Sequence, residues 1–392
     1  MRGRFDARER RTRLAHRHAL APGARLPDMR AASAAVVGLH SSDPVTVFVS
    51  AWARTGVPAP VDLEESLYEG RSLLRMLGMR RTLFVVPVEL APVIQAACLS
   101  PIARNLRRTT MRFLSETRAA VDLERWLAEV EAEALAVVRR LGTAAATDVT
   151  AADARLRTRL LMAEGKSYQA TQNLSGRVLL QLGADGYIAR HRPKGTWISG
   201  QYRWRPIEAW LPQGMPEIPI EAAQAELVRR WLDRFGPGTR ADLRWWTGLT
   251  AREIDRALLA NAAAEVELDS GPGFVLPSDV GPTPDVGSWV ALLPGLDPTV
   301  MGWTERSWYL GDHVARLFDS NGNAGPTAWC DGRIVGGWAQ RRDGEIALGL
   351  LEDVGREAEL ALEARAAELQ AWVGAVRFTP RFRSPLEREL SA

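Results

Sequence analysis

The chain has 392 residues, of which 46% are apolar and 25% charged, a composition that excludes general disorder and fits two to three domains. No uncharged apolar run reaches the ~18 residues a membrane helix needs, and the charged opening MRGRFDARERRTRLAHRH lacks the apolar stretch of a secretory signal, so the cytoplasm is the expected location. The net charge is +3, yet only Lys166 and Lys194 are lysines, which leaves 48 of the 50 basic residues as arginine, whose planar fork suits phosphate and base-edge contacts.

In chain order, the first forty residues read as helical, broken at Pro22, Gly23 and Pro27, with an Ala- and Val-rich run from Met29 to Leu39. Asp43 before Pro44 reads as the N-cap and first position of a helix over Val45–Thr55. Residues 80–87 read as a short strand ended by Pro87. Over 121–141, Leu123, Trp126, Leu127, Val130, Leu135, Val138 and Leu141 recur at helical spacing, and Gly142 sits where a C-terminal cap belongs.

A second unit begins near Ala222, with a helix stopped by Gly236-Pro237-Gly238. Thr239 caps a short helix reaching Thr247, and Thr250 with Glu253 forms a capping box for another running to about Asn261. A hairpin pattern follows over Glu265–Leu276. This is the order of a winged helix, whose third helix usually meets the DNA major groove. The same punctuation recurs 94 residues earlier: Arg140-Leu141-Gly142 parallels Arg234-Phe235-Gly236, and Asp148-Val149 parallels Asp242-Leu243. A hairpin-like stretch over Arg177–Arg190 and Thr196–Trp204 follows it, so tandem winged helices are expected. In the C-terminal third, Val290–Pro294, Thr327–Cys330, Arg333–Gln340 and Glu345–Leu350 read as strands, with turns at Asp331-Gly332 and Asp343-Gly344. They predict a small antiparallel barrel or sheet, followed by a helix over Arg356–Val373 and a basic tail, FTPRFRSP.

Several kinds of chemistry lack support. Cys98 and Cys330 show no CxxC spacing, and the five histidines form no HxxxH or HExxH pattern, so neither zinc nor any other metal or cofactor is expected. Gly165-Lys166-Ser167 imitates a phosphate-binding loop, but the required glycine is replaced by Leu160. Leu293-Pro294-Gly295-Leu296-Asp297 imitates a helix-hairpin-helix loop but carries Asp where Gly belongs. Lysine Schiff-base chemistry has only Lys166 and Lys194 to draw on.

The densest polar cluster in an apolar stretch is His40-Ser41-Ser42-Asp43. A histidine beside small hydroxyls at a helix start can orient water or an anion. The same residues also read simply as a cap, with Asp43 on the helix and His40 packed. The basic pairs Arg80-Arg81, Arg203 with Arg205, and Arg341-Arg342 are candidates for DNA contact, and Trp197, Tyr202 and Trp204 interleave with the middle pair.

VVGLHSSDP (36–44), LYEGRSLLRMLGMRRTLFVVP (67–87), TWISGQYRWRPIEAWL (196–211), FGPGTRADLRWWTGL (235–249), LLPGLDPTVMGWTERS (292–307) and DGRIVGGW (331–338) together resemble the AlkZ/YcaQ family of winged-helix DNA glycosylases. The resemblance implies a fold that is mainly α with β: tandem winged-helix domains in a C shape plus a C-terminal antiparallel β-barrel. The boundaries expected are 1–120 for an N-terminal winged-helix region carrying the His-Ser-Ser triplet, 121–215 and 216–284 for two further winged helices, and 285–392 for the barrel and helix. Members of the family carry a Gln-x-Gln type triplet before Asp-Pro, some with His first. His40 and Ser42 therefore take the two catalytic positions, with Asp43 in support, although Ser42 is shorter than Gln and offers no amide. The resemblance also puts Asp297 and Arg306 on the cleft wall.

The implied activity is a monofunctional glycosylase, without cofactor, that hydrolyses the N-glycosidic bond of bulky alkylated purines in double-stranded DNA. N7-guanine adducts of a DNA-alkylating natural product are the expected substrates, in repair or self-resistance. The protein would act as a monomer, without a membrane or obligate protein partner. The alternative is a non-catalytic winged-helix regulator or damage sensor.

Overall fold

The computed structural model describes residues 3–56, 59–117, 119–162 and 169–392; Gly165-Lys166-Ser167 lies outside them. The chain begins with the strand Arg4–Phe5, which pairs in parallel with Ala264–Leu268; Gly271–Val275 completes this three-stranded sheet. The helix Ala7–Arg17 starts at Asp6, whose side chain accepts from the Glu9 N–H at 2.8 Å. The helix Met29–Ala35 ends four residues before Leu39, because Gly38 at φ +115° turns the chain into the two-residue strand Leu39–His40.

The expected helix after Asp43 is Pro44–Arg54, and all eleven of its residues are buried. Its sequence, PVTVFVSAWAR, is apolar on every face, the pattern of a helix enclosed by other elements. Next to it lies a five-stranded antiparallel sheet in the order Leu39–His40, Leu83–Pro87, Leu73–Leu77, Ile188–Pro193, Tyr202–Pro206. Two hairpins that are far apart in sequence, 73–87 and 188–206, thus form one sheet.

The helix Leu123–Leu141 ends at Gly142 with φ +66°. After it come the helix Ala146–Ala152, a small hairpin of Arg159–Met162 with Ala170–Asn173, and the helix Leu174–Ala184. The expected hairpin-like stretch over 177–190 and 196–204 is corrected in its first part: Ile188–Pro193 does pair with Tyr202–Pro206, but the residues before it are helical. Leu174, Val178 and Leu182 are buried at helical spacing, Gly183 packs on Trp204, and only Gly186, at φ +82°, makes a turn. Leu114, Val130, Val138, Val178 and Trp204 help to build a separate core for this unit.

The helices Ile220–Phe235, Arg240–Thr247 and Ala251–Ala260 precede the 264–275 hairpin, in the order expected from the sequence. Thr239 with Asp242 and Thr250 with Glu253 form the capping boxes, and Gly248 ends the second helix at φ +77°.

The four C-terminal strands, Val290–Leu293, Thr327–Cys330, Arg333–Gln340 and Ile346–Leu350, form an antiparallel meander. Among the described residues its first and last strands do not pair, so the expected barrel is an open sheet. The helix Arg356–Val373 packs against both edge strands and covers them in place of hydrogen-bonded closure. No helix among the described residues is long and apolar enough to cross a membrane.

Candidate active site

His40 lies on the edge strand Leu39–His40, opposite Phe84, with its ring edge-on to the Phe84 ring at 5.2 Å. The chain is fixed on both sides of it. The Ser41 N–H donates to the Leu83 carbonyl at 2.7 Å, and the Asp43 side chain caps the next helix by accepting from the Val45 N–H at 3.1 Å. His40 is 6% exposed and lines a cleft of about 460 Å³. The Ser42 N–H points at His40 Nδ1 at 3.5 Å, which favours the neutral tautomer with its proton on Nε2. Burial first, and the nearby Arg80 guanidinium second, push the imidazole down to about 3. At neutral pH the ring is therefore an uncharged donor with little tendency to take a proton.

Ser42 lines the same cleft. Asp43 does not. Its Oδ2 accepts the Arg381 N–H at 2.8 Å, and the Arg381 guanidinium donates to the Ser42 carbonyl at 3.2 Å. Asp43 therefore joins the helix start to the C-terminal tail, and burial holds its carboxyl above the usual range. Ser41 is fully buried, with a hydroxyl oxygen that has no partner among the described residues.

Asp297 lies beneath the cleft wall and not on it. It is fully buried and takes two hydrogen bonds from the equally buried Arg54, at 2.7 and 2.9 Å, with Ser50 Oγ donating at 2.5 Å and the Thr299 N–H at 2.9 Å. Burial alone would raise its carboxyl, but Arg54 and these donors hold it below the usual range. The neighbouring Leu296, at φ +60°, is the residue of this loop that lines the cleft.

Arg306 does line the cleft, as does Arg80. Both guanidiniums lie over the Trp245 indole, at 4.0 Å for Arg80 and 4.9 Å for Arg306. Arg306 also donates to the Trp303 carbonyl at 2.8 Å. Arg80 stands in a tight turn with Arg81, at φ +53° and +63°. Arg81 faces an adjoining groove that Arg80 also borders.

The other arginine candidates lie elsewhere. Tyr202–Pro206 is the opposite edge strand of the five-stranded sheet, four strands from His40's own, or about 19 Å across at ~4.8 Å per strand. Arg203 is exposed there, and Arg205 approaches His191 Nε2 at 3.2 Å. The aromatics between them serve the interior: Trp197 is 5% and Trp204 8% exposed, and the Arg75 guanidinium lies over the Tyr202 ring. Arg341 is paired with Glu345 and bonded to the Leu390 carbonyl, and Arg342 lies beside it in the hairpin turn before Ile346; neither lines the cleft.

Sequence reasoning missed Trp245, Met301, Thr304, Asn321, Asn323 and Phe382, all on the cleft wall. Only Trp245 carried a signal, as one of an adjacent tryptophan pair in a capped helix that has room for one of them in its core. Lys194 sits exposed in the 193–202 connection, away from the cleft. No cluster of three potential metal ligands occurs among the described residues.

Comparison with known proteins gives the family. A family model for AlkZ-like DNA glycosylases matches residues 33–372, and the chain belongs to that family. It is a DNA glycosylase, with DNA as its partner. The structure of Streptomyces sahachiroi DNA glycosylase AlkZ is similar, with a TM-score of 0.71 at 19% identity, over 94% of this chain and 97% of that one. No curated protein matches the sequence.

Proposed function

We propose that the protein is a monofunctional glycosylase that releases bulky alkylated purines, N7-guanine adducts of a natural product above all, from double-stranded DNA. It would act as a monomer in the cytoplasm, in repair or in the self-resistance of a producer. Residues 123–206 and 220–275 are read as tandem winged helices, arranged with the N-terminal region as a C around the DNA. One observation carries the reading. His40 and Ser42 open onto a cleft walled by Trp245, Leu296, Met301 and Phe382 and flanked by two arginines without acid partners among the described residues. Its volume of about 460 Å³ is of the size that encloses a substituted aromatic ligand.

The reaction needs little acid–base help. A purine alkylated at N7 is already cationic, so heterolysis of the C1′–N9 bond returns the electron pair to N9 and releases a neutral base. Water adds through oxygen to C1′, and its surplus proton passes to solvent. Nε2–H of His40 can donate to that water's oxygen, and the Ser42 hydroxyl can accept from one of its hydrogens, fixing a lone pair on C1′. The shorter Ser42 leaves more room above the sugar than a Gln would, which suits a large adduct.

The test is release of free adducted base from duplex DNA treated with alkylators, from methylating agents to bulky intercalating epoxides. Wild type should release bulky N7 adducts, and His40→Ala should bind the DNA but release little. Tight binding to unmodified DNA with no release from any member of the panel would sink the proposal.

A further inference from the structure

The cleft has an unusual charge balance for a reaction that builds positive charge on a sugar. Arg80 and Arg306 both lie against Trp245, and neither has a carboxylate partner among the described residues. No Asp or Glu lines the cleft. Every nearby acid is already engaged. Asp43 accepts backbone N–H groups with both oxygens, and Asp297 is held by Arg54. Asp242 accepts from the Thr304 and Glu305 N–H groups at 2.8 and 3.1 Å, and Asp319 from those of Asn321 and Asn323 at 2.8 and 2.9 Å.

As it stands, then, the cleft would oppose both a cationic base and the oxocarbenium-like sugar left behind. These two guanidiniums, with no carboxylate beside them among the described residues, are also what attracts an anion here. Their planar forks match phosphate oxygens, and stacking on the indole orients the forks without neutralising them. The anion that any DNA substrate carries into this cleft is its own backbone.

We infer that Arg80 and Arg306, stacked on Trp245, hold a phosphodiester next to the nucleotide under attack, and that this phosphate, not a protein carboxylate, is the counter-charge to the sugar cation. The inference rests on the glycosylase reading above. In the reaction, the C1′–N9 bond breaks with its electron pair going to the base, the phosphate faces the positive charge at C1′ and O4′ without bonding to it, and water then supplies hydroxide to C1′ and a proton to solvent. The arginines position the group that stabilises the transition state. Removing them should slow bond cleavage as well as weaken binding.

The test uses duplexes carrying one bulky N7-alkylguanine, with the linkage on its 5′ or 3′ side made as an uncharged methylphosphonate. Base release is followed in single turnovers at saturating full-length enzyme, so that weaker binding does not enter the rate. One of the two neutral linkages should slow wild type by on the order of 10-fold or more. The Arg80→Gln/Arg306→Gln double variant should be comparably slow on ordinary DNA and lose no further rate with that linkage, whereas Arg80→Lys should keep part of the wild-type sensitivity. Both arginines are at least partly exposed, and a thermal melt of each variant checks that it is folded. Release that ignores both neutral linkages, or equal sensitivity with and without the arginines, would overturn the inference while leaving the glycosylase reading standing. No release from the ordinary duplex would overturn both.

Discussion

In the proposed mechanism His40 decides what pH can do to base release. Its imidazole, pushed down to about 3 by burial and by Arg80, stays neutral across the physiological range. Single-turnover release should therefore be flat from about pH 5 to 8; an inflection near 6.5 would mean that the ring titrates as if in water. Asp43 acts on the same loop from below. Asp43→Ala removes a helix cap and the anchor of the tail, a loss of about 1–2 kcal/mol that a urea titration would register. Asp43→Asn keeps a capping oxygen and should cost less. The Asp43-Pro44 start was legible in the sequence because a cap is written within a few neighbouring residues. The stack of Arg80, Trp245 and Arg306 was not, because its members come from three distant segments and no local spacing joins them. Asp297 was misplaced for a related reason. It was put on the cleft wall by resemblance alone, and the partner that buries it, Arg54, lies 243 residues away in the chain.

Among elements, the two-residue strand Leu39–His40 carries the most function for its length. Gly38 at φ +115° sends the chain into it, and a Cβ there would lie 2.8 Å from Val86 Cγ1. Gly38→Ala should destabilise the protein by about 1–3 kcal/mol. It should also move the His40 ring relative to Phe84, visible as shifted ring-proton resonances. Unchanged His40 resonances in a folded variant would refute that coupling. Helices with caps at both ends, such as Leu123–Leu141 and Arg240–Thr247, were readable because their signals are local. The barrel was not, because alternating strands reveal a meander but not what covers its edges. Here the covering element is the helix Arg356–Val373. The hairpin read over 177–190 and 196–204 starts late, at Ile188, because Gly183 and Gly186 look alike in sequence, while one packs against Trp204 inside a helix and only the other turns the chain.

At the scale of the molecule, a few buried contacts tie distant segments together. Arg54 and Asp297 join the helix Pro44–Arg54 to the C-terminal third in an ion pair fully shielded from solvent. Arg54→Leu leaves a buried carboxylate without its cation and should cost about 3–5 kcal/mol in chemical denaturation. Replacing both partners by apolar residues should recover much of that loss. His18 and His40 are both held neutral, with values near 3 against an ordinary 6.5. Protons bind such groups more readily in the unfolded chain, so their contribution to stability is intact above about 6.5 and declines as the pH falls toward 3. Thermal melts should show this decline, and His40→Phe should flatten part of it. A wild-type melting temperature that does not fall between pH 7 and 4 would contradict both shifts.

The hydrogen bonds from Arg381 to Asp43 and Ser42 also bear on how the enzyme comes into being. A ribosome makes Arg381 338 residues after Asp43, so the His40–Asp43 loop waits for these braces while all the elements between them are made. Fragments that stop before Arg381 lack those braces, so the loop is held in this form only in a chain that reaches the tail.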